Sequence, residues 1–279
     1  MIKSILVALD ESKSSESAKI LTLQLAKSYG AAVTGIGVLD EMWISTPEAI
    51  PLGGAAFKAE LDEKLMNDAK RVVHKLEKTF AEDCKKQGIT GAVIDTSGIP
   101  SSEIEYFTTE HDVLVIGKDA DFHSSTTVET AVSVKQLIKE CPRPVIVTSP
   151  TIPNQNGSAV LVAYDGTFAA SRALHMALLL GIFKGKTAHI ASVSGNENEA
   201  KDCVARAAKL CENHGVKARM HSLVTSKKPA EALVELSNDL KPSLLVMGAY
   251  GHSGLAYFFS GSCAKDLLKS TDIPIFVYH

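Results

Sequence analysis

The sequence repeats itself, and the repeat constrains the fold more than any other feature. SILVALDES at 4–12 and AVLVAYDGT at 159–167 are short apolar runs that end in Val-Ala-x-Asp and lead into a helical pattern. Later, HDVLVIG (111–117) answers PSLLVMG (242–248), and each copy closes on a Pro-led strand, RPVIVTS (143–149) and IPIFVYH (273–279). Asp165 follows Asp10 by 155 residues but Gly248 follows Gly117 by 131, so the first copy carries 24 residues more between these points. Most of the excess falls in EMWISTPEAIPLGGAAFKAELDEK, where the second copy has only SGNENEA. The breaker-rich SPTIPNQNGS (149–158) separates the copies. Two domains are expected, at 1–150 and 156–279, each long enough to bury its own core.

Within each copy the elements alternate. Ser12 or Ser14 opens a first helix and Gly30 closes it, both good cap residues. A strand follows over Val33 to Leu39. Leu61, Leu65, Val72, Leu76, Phe80 and Cys84 then draw one apolar stripe on a long helix that ends before Gly88. Strands near 91–96, 112–117 and 144–149 complete a βαβαβαβαβ order. Continuous apolar runs such as VLVIG and LLVMG between helices predict parallel strands buried on both faces. The fold class is therefore α/β, with two tandem, doubly wound, Rossmann-like parallel-sheet domains. The closing strands would be sheet edges with unpaired amides, and pairing them with each other would make an intrachain pseudo-dimer. A homodimer through the same edge is the alternative.

In a doubly wound sheet, ligands sit at the carboxyl ends of the strands beside the switch point. There the second copy reads MGAYGHSGLAYFFSGSCAKDLL. Gly248 is followed after two residues by Gly251, and after nine more by Gly261 and Ser262. Glycine lets backbone amides approach and point at an anion. Gly261-Ser262 stands directly before a helical pattern, whose free amides and dipole favour phosphate oxygens. Asp165, at the end of the first strand, can accept hydrogen bonds from ribose hydroxyls or an adenine amine.

Glycine, two residues, glycine, nine residues, glycine and Ser or Thr, after a strand and with an Asp ending the first strand, resembles the ATP-binding signature of the universal stress protein family. The repeated layout extends the resemblance over essentially the whole chain, as in the tandem two-domain members. The resemblance implies that Gly248, Gly251, Gly261 and Ser262 hold the phosphates and Asp165 the ribose or base. It further implies that Ala163, Val193 and Met247 line the adenosine. Cys263, next to Ser262, counts with the cofactor-binding residues. His252 either contacts phosphate or is a solvated loop residue. The expected cofactor is ATP, with ADP, AMP and added Mg2+ left open. Tyr164 departs from the family, where a small residue is commoner, and would narrow the base site if turned inward.

The first copy departs further. Gly117 matches Gly248, but Lys118, Asp119, Ala120 and Asp121 follow, and Thr130-Ala131 stands in place of the glycine-serine pair. Two carboxylates lie where a phosphate would go, and like charges ~4 Å apart repel by about 4 kcal/mol at an effective dielectric of 20. The first copy is expected not to bind ATP, and Asp10 to serve as a helix cap.

Composition narrows the rest. Lys and Arg number 29 against 32 Asp and Glu, so no basic field points to nucleic acid or an anionic membrane. No apolar run approaches the ~20 residues of a membrane span, and the opening ILVAL is too short for a signal peptide. Five scattered cysteines suit a reducing cytoplasm rather than a disulfide framework. Cys203, Cys211 and His214 could share a helix face, with packing favoured over zinc. GIFKGKT (181–187) has glycines too close for a P-loop and reads as a tight turn. Trp43, Ile44 and Ile50 form either a lid or a contact surface.

Three functions follow. The first is a cytoplasmic stress-response protein that binds ATP in its second copy and engages an unidentified protein partner. No general base or activated nucleophile accompanies the glycines, so any ATPase would be slow. An adenylyl-transferring enzyme would need a glycine-rich pyrophosphate loop that DESKSS and DGTFAAS lack. The third is a ligand-free scaffold.

Overall fold

The computed structural model describes residues 1–45, 54–122, 132–152, 157–249 and 262–279. The first copy runs β1 (Ser4–Ala8), α1 (Lys13–Tyr29), β2 (Ala32–Leu39), α2 (Glu41–Ile44), α3 (Ala55–Gln87), β3 (Gly91–Ser97), α4 (Pro100–Thr108), β4 (Val113–Gly117), α5 (Val132–Glu140) and β5 (Val145–Thr148). The second runs β6 (Ala159–Ala163), α6 (Phe168–Leu179), β7 (Thr187–Ser194), α7 (Glu197–Asn213), β8 (Ala218–Val224), α8 (Pro229–Leu240), β9 (Leu244–Gly248), α9 (Ser262–Ser270) and β10 (Ile275–Tyr278). Caps act where the residue types indicate. Ser12 accepts from the Ser15 amide at 3.2 Å, and Gly30 ends α1 in the left-handed conformation.

The strands form one sheet in the order β3-β2-β1-β4-β5-β10-β9-β6-β7-β8. Within each copy every pairing is parallel, and the copies meet where β5 pairs antiparallel with β10, Phe276 standing opposite Ile146. Each copy reverses strand order beside its first strand, at β1/β4 and β6/β9, and these are the two switch points.

Strand alternation sends side chains to two cores. Ile5, Val7, Val115, Val160 and Phe276 face the layer of α1, α3, α6 and α7. Leu6, Leu114, Val147, Leu161 and Val277 face the layer of α4, α5, α8 and α9. Both cores cross the β5–β10 seam. The copies are also tied where the Tyr29 hydroxyl donates to the Gly181 carbonyl at 2.9 Å and the Ile2 amide to the Leu180 carbonyl at 3.1 Å.

The long helix corrects one expectation. Phe80 and Cys84 are buried and Leu76 half-buried, but Leu61 and Leu65 are 44% and 45% exposed. The 33 residues of α3 span ~50 Å at 1.5 Å each, whereas the 8 residues of β2 beneath it span only ~26 Å. The stripe is continuous in sequence, yet its first turns overshoot the sheet.

GIFKGKT is a tight turn. Gly181 and Gly185 take positive φ, and the Lys184 and Lys186 amides bond back to the Gly181 and Phe183 carbonyls at 2.9 Å. Ile44 ends the short α2 and is half-buried; the Trp43 side chain and Ile50 lie outside the described residues. Among the described residues no helix is long and apolar enough to cross a membrane.

Candidate functional site

At the carboxyl ends of β6, β7 and β9 the second copy encloses a cavity of about 300 Å3. Ala163, Val193 and Met247 line it from three neighbouring strands, with Ala191 and Leu233 extending the apolar surface. A small apolar slot with polar groups at its mouth is the form of a small-molecule site. Tyr164 also borders the cavity, but it packs against the core on the sheet face opposite to that of Ala163, Val193 and Met247.

Asp165 follows β6 into the opening, where it is exposed. Its Oδ1 accepts from the Thr167 amide at 3.0 Å and the Thr167 hydroxyl at 2.6 Å. Thr167 in turn caps α6 by accepting from the Ala170 amide at 3.2 Å. The cap is thus Thr167, and Asp165 is oriented by it.

Gly248 has a reason of its own to be glycine. A Cβ there would stand 2.5 Å from the Ala170 nitrogen and 2.6 Å from the Ala169 carbonyl carbon, so β9 could not end so close to the start of α6. Cys263, on the first turn of α9, lines the cavity, and its thiol is pushed up to about 11 by burial and then by the charges of Asp165 and Asp266. It is a neutral packing group near pH 7, not a nucleophile.

The structure therefore brings Ala163, Asp165, Val193, Met247, Gly248 and Cys263 around one cavity. Gly251, His252 and Gly261 lie outside the described residues, as do Thr130 and Ala131. Ser262 opens α9, but its side chain is outside the described set.

Sequence reasoning took Cys203 only as a packing or zinc residue and missed its place on the cavity wall from α7, while Cys211 is buried and His214 meets the His175 ring edge-on at 5.6 Å. Among the described residues no group of three or more His, Cys, Asp or Glu is placed to hold a metal ion. Glu199 was also missed; it reaches the rim by accepting from the Ser194 hydroxyl at 2.6 Å. Its only sequence signal was a position one turn into the helix after β7.

The matching place in the first copy is built differently. Asp10 is only 7% exposed. Its Oδ1 accepts from the Ser12 hydroxyl and its Oδ2 from the Asp121 amide, both at 2.8 Å. Asp119 Oδ1 accepts from the Ser14 amide at the start of α1 at 3.2 Å, and the Asp119 amide donates back to Ser14 Oγ at 3.3 Å. Between them Ala120 is 1% exposed and packs in the core.

The segment after β4 thus folds down onto the strand end, and Asp119, a carboxylate of the chain itself, sits at the start of α1. This corrects the reading of Asp10 as a helix cap: Ser12 is the cap, and Asp10 locks the returning segment. Burial pushes the Asp10 carboxyl up, opposed by the Asp121 amide and the Ser12 and Ser15 hydrogen bonds.

Comparison with known proteins agrees with the architecture. Residues 184–279 match the model of the universal stress protein family. The chain is 25% identical over 291 residues to universal stress protein Slr1230 of Synechocystis, an alignment covering 99% of this chain and all of that protein. Among solved structures it is similar to a universal stress protein from Archaeoglobus fulgidus, with a TM-score of 0.73 at 19% identity over 99% of this chain and 97% of that one. It also resembles a functionally unknown Pseudomonas aeruginosa protein, PA1789, with a TM-score of 0.59 at 14% identity over 99% of this chain and 92% of the other.

Proposed function

We propose that this chain is a member of the universal stress protein family, that its second copy binds ATP and that its first copy is closed to nucleotide. The observation that carries this reading is the cavity at the β6/β9 switch point, apolar within and acidic at its rim. Adenine would lie against Ala163, Val193 and Met247. Asp165, held by Thr167 through Oδ1, would offer Oδ2 to the ribose hydroxyls. Gly248, Gly251, Gly261 and Ser262 would hold the phosphates, with His252 beside them and Cys263 packing below. ADP or AMP could take the same place, and Mg2+ would accompany the triphosphate.

The closure of the first copy is supported by Asp119 at the start of α1 and by the Asp10–Asp121 bond. That copy would act as a structural or regulatory half. The β5–β10 pairing supports an intrachain pseudo-dimer, which would occupy the edges through which two separate chains could otherwise associate. Occupancy of one copy would then bias a conformation read by a partner protein in a cytoplasmic stress response. Among the described residues of the cavity Cys263 is held as a neutral thiol, and any ATPase activity would be slow.

Isothermal titration of ATP into protein stripped of carried-over nucleotide tests the proposal. Saturable binding of one ATP per chain, lost in Gly261→Asp and kept in Asp119→Asn, is the expected result. No binding, or identical binding by Gly261→Asp, would end it.

A further inference from the structure

The carboxyl ends of β2 and β3 and the flank of α3 enclose a second cavity, about 390 Å3, in the first copy. It shares no lining residue with the cavity beside β6. Its centre is Glu77. The stripe that seats α3 on the sheet carries Glu77 inward between Val73, four residues before it, and Phe80, three after. Gly37 on β2 leaves the space: a Cβ there would stand 2.8 Å from Val73 Cγ1 and 3.3 Å from Glu77 Oε1. Glu77 is 7% exposed, and among the described residues its Oε1 is shielded from solvent with no hydrogen-bond partner. Folded proteins give nearly every such atom a donor, because leaving it without one costs about 1–3 kcal/mol and more for a charge. Glu77 Oε1 thus lies on the cavity lining without a donor.

The surrounding charges say what kind of donor fits. Burial and then the charge of Asp95 push the Glu77 carboxyl up, while His74 pulls it down. Glu41 and Lys70 stand on the same lining, so three carboxylates face Lys70 and His74. Anions are disfavoured there. A bare metal ion is a poor match as well, since no three candidate ligands among the described residues converge on a point. Leu39 and Val73 supply an apolar wall between the buried carboxylate and the exposed Asp95.

We propose that this cavity binds an aliphatic diamine, with one ammonium donating to Glu77 Oε1, the methylenes against Leu39 and Val73, and the second ammonium at Asp95. Such an occupant satisfies the orphan oxygen, balances the excess negative charge and packs its carbon chain on the apolar wall.

The test is calorimetric titration of the full chain with 1,4-diaminobutane at about 0.15 M salt, where diffuse attraction between exposed charges is screened. Saturable binding is expected, weakened about tenfold or more by Glu77→Gln, as loss of a charge-assisted hydrogen bond predicts. Asp95→Asn, at an exposed position that leaves the fold intact, should weaken it several-fold and should make 1-aminobutane and the diamine bind alike. Glu82→Gln removes the same charge from the exposed face of α3 and should change nothing. The proposal is overturned if no saturable binding is seen, if Glu82→Gln weakens it as much as Glu77→Gln does, or if MgCl2 or CaCl2 binds where the diamine does not.

Discussion

Replacing Asp10 by Asn and by Ala separates what its charge does from what its oxygens do. The carboxylate accepts from the Ser12 hydroxyl and the Asp121 amide, each at 2.8 Å, while only 7% exposed. Asp10→Ala removes both acceptors. Ser12 and Asp121 are both half-exposed and can turn in part to water, so each lost bond costs about 0.5–1.5 kcal/mol. Loss of the lock on Ala120 adds to this, so about 2 kcal/mol of destabilisation is expected. Asp10→Asn keeps one oxygen for the Asp121 amide, its new NH2 can donate to Ser12 Oγ, and the buried charge is gone. Its expected cost is under about 1 kcal/mol.

The pH dependence follows from the raised carboxyl. Where the folded pKa lies above the unfolded one, the native state holds the extra proton, so stability falls as pH rises from the ordinary value of 3.8 through the native value. Asn has no such loss, and Asp10→Asn should gain on the parent chain over that window and then keep a constant offset. Urea unfolding followed by circular dichroism resolves this: with a slope of about 2 kcal/mol/M, Asp10→Ala shifts the midpoint by about 1 M. Equal destabilisation by Asn and Ala, or an Asn-to-Asp difference that does not change between pH 4 and 8, would refute the account of Asp10 as a buried, desolvated lock.

Other consequences are as direct. Gly248→Ala puts a Cβ 2.5 Å from backbone at the start of α6 and should cost about 1–3 kcal/mol in thermal unfolding, weakening ATP binding with it. Thr167→Ala removes the α6 cap and frees Asp165, an expected loss of about 1 kcal/mol in denaturant titration, whereas Thr167→Ser should recover most of it. Phe276→Ala at the fully buried β5–β10 seam should cost about 3–5 kcal/mol and split the urea transition in two as the copies lose their shared core. With its thiol pushed to about 11, Cys263 should stay unmodified by iodoacetamide at pH 7.5 under native conditions, as read by peptide mass spectrometry.

The order of elements, the parallel strands, the caps at Ser12 and Gly30 and the strand ends carrying Asp165 and Gly248 were all legible in the residues. Each depends on patterns a few residues long: a run of apolar side chains, a hydroxyl before a helix, a glycine after one. The repeat supplied the rest of the layout, since two copies of one pattern must fold alike. Other features needed the three-dimensional chain. The antiparallel meeting of β5 with β10 depends on how two distant edges approach. The overshoot of α3 depends on the length of the strand beneath it, so an unbroken stripe could not reveal where Leu61 and Leu65 lose their partner. Asp119 and Asp121 read as charge in the sequence, but it is a return path for the backbone that sets one at a helix start and the amide of the other on Asp10. The unpaired oxygen of Glu77 had no local signature either, because burial and the absence of a donor are both sums over residues remote in the chain. Short-range pattern determines what each segment becomes, whereas contacts between segments far apart decide which strand ends stay open.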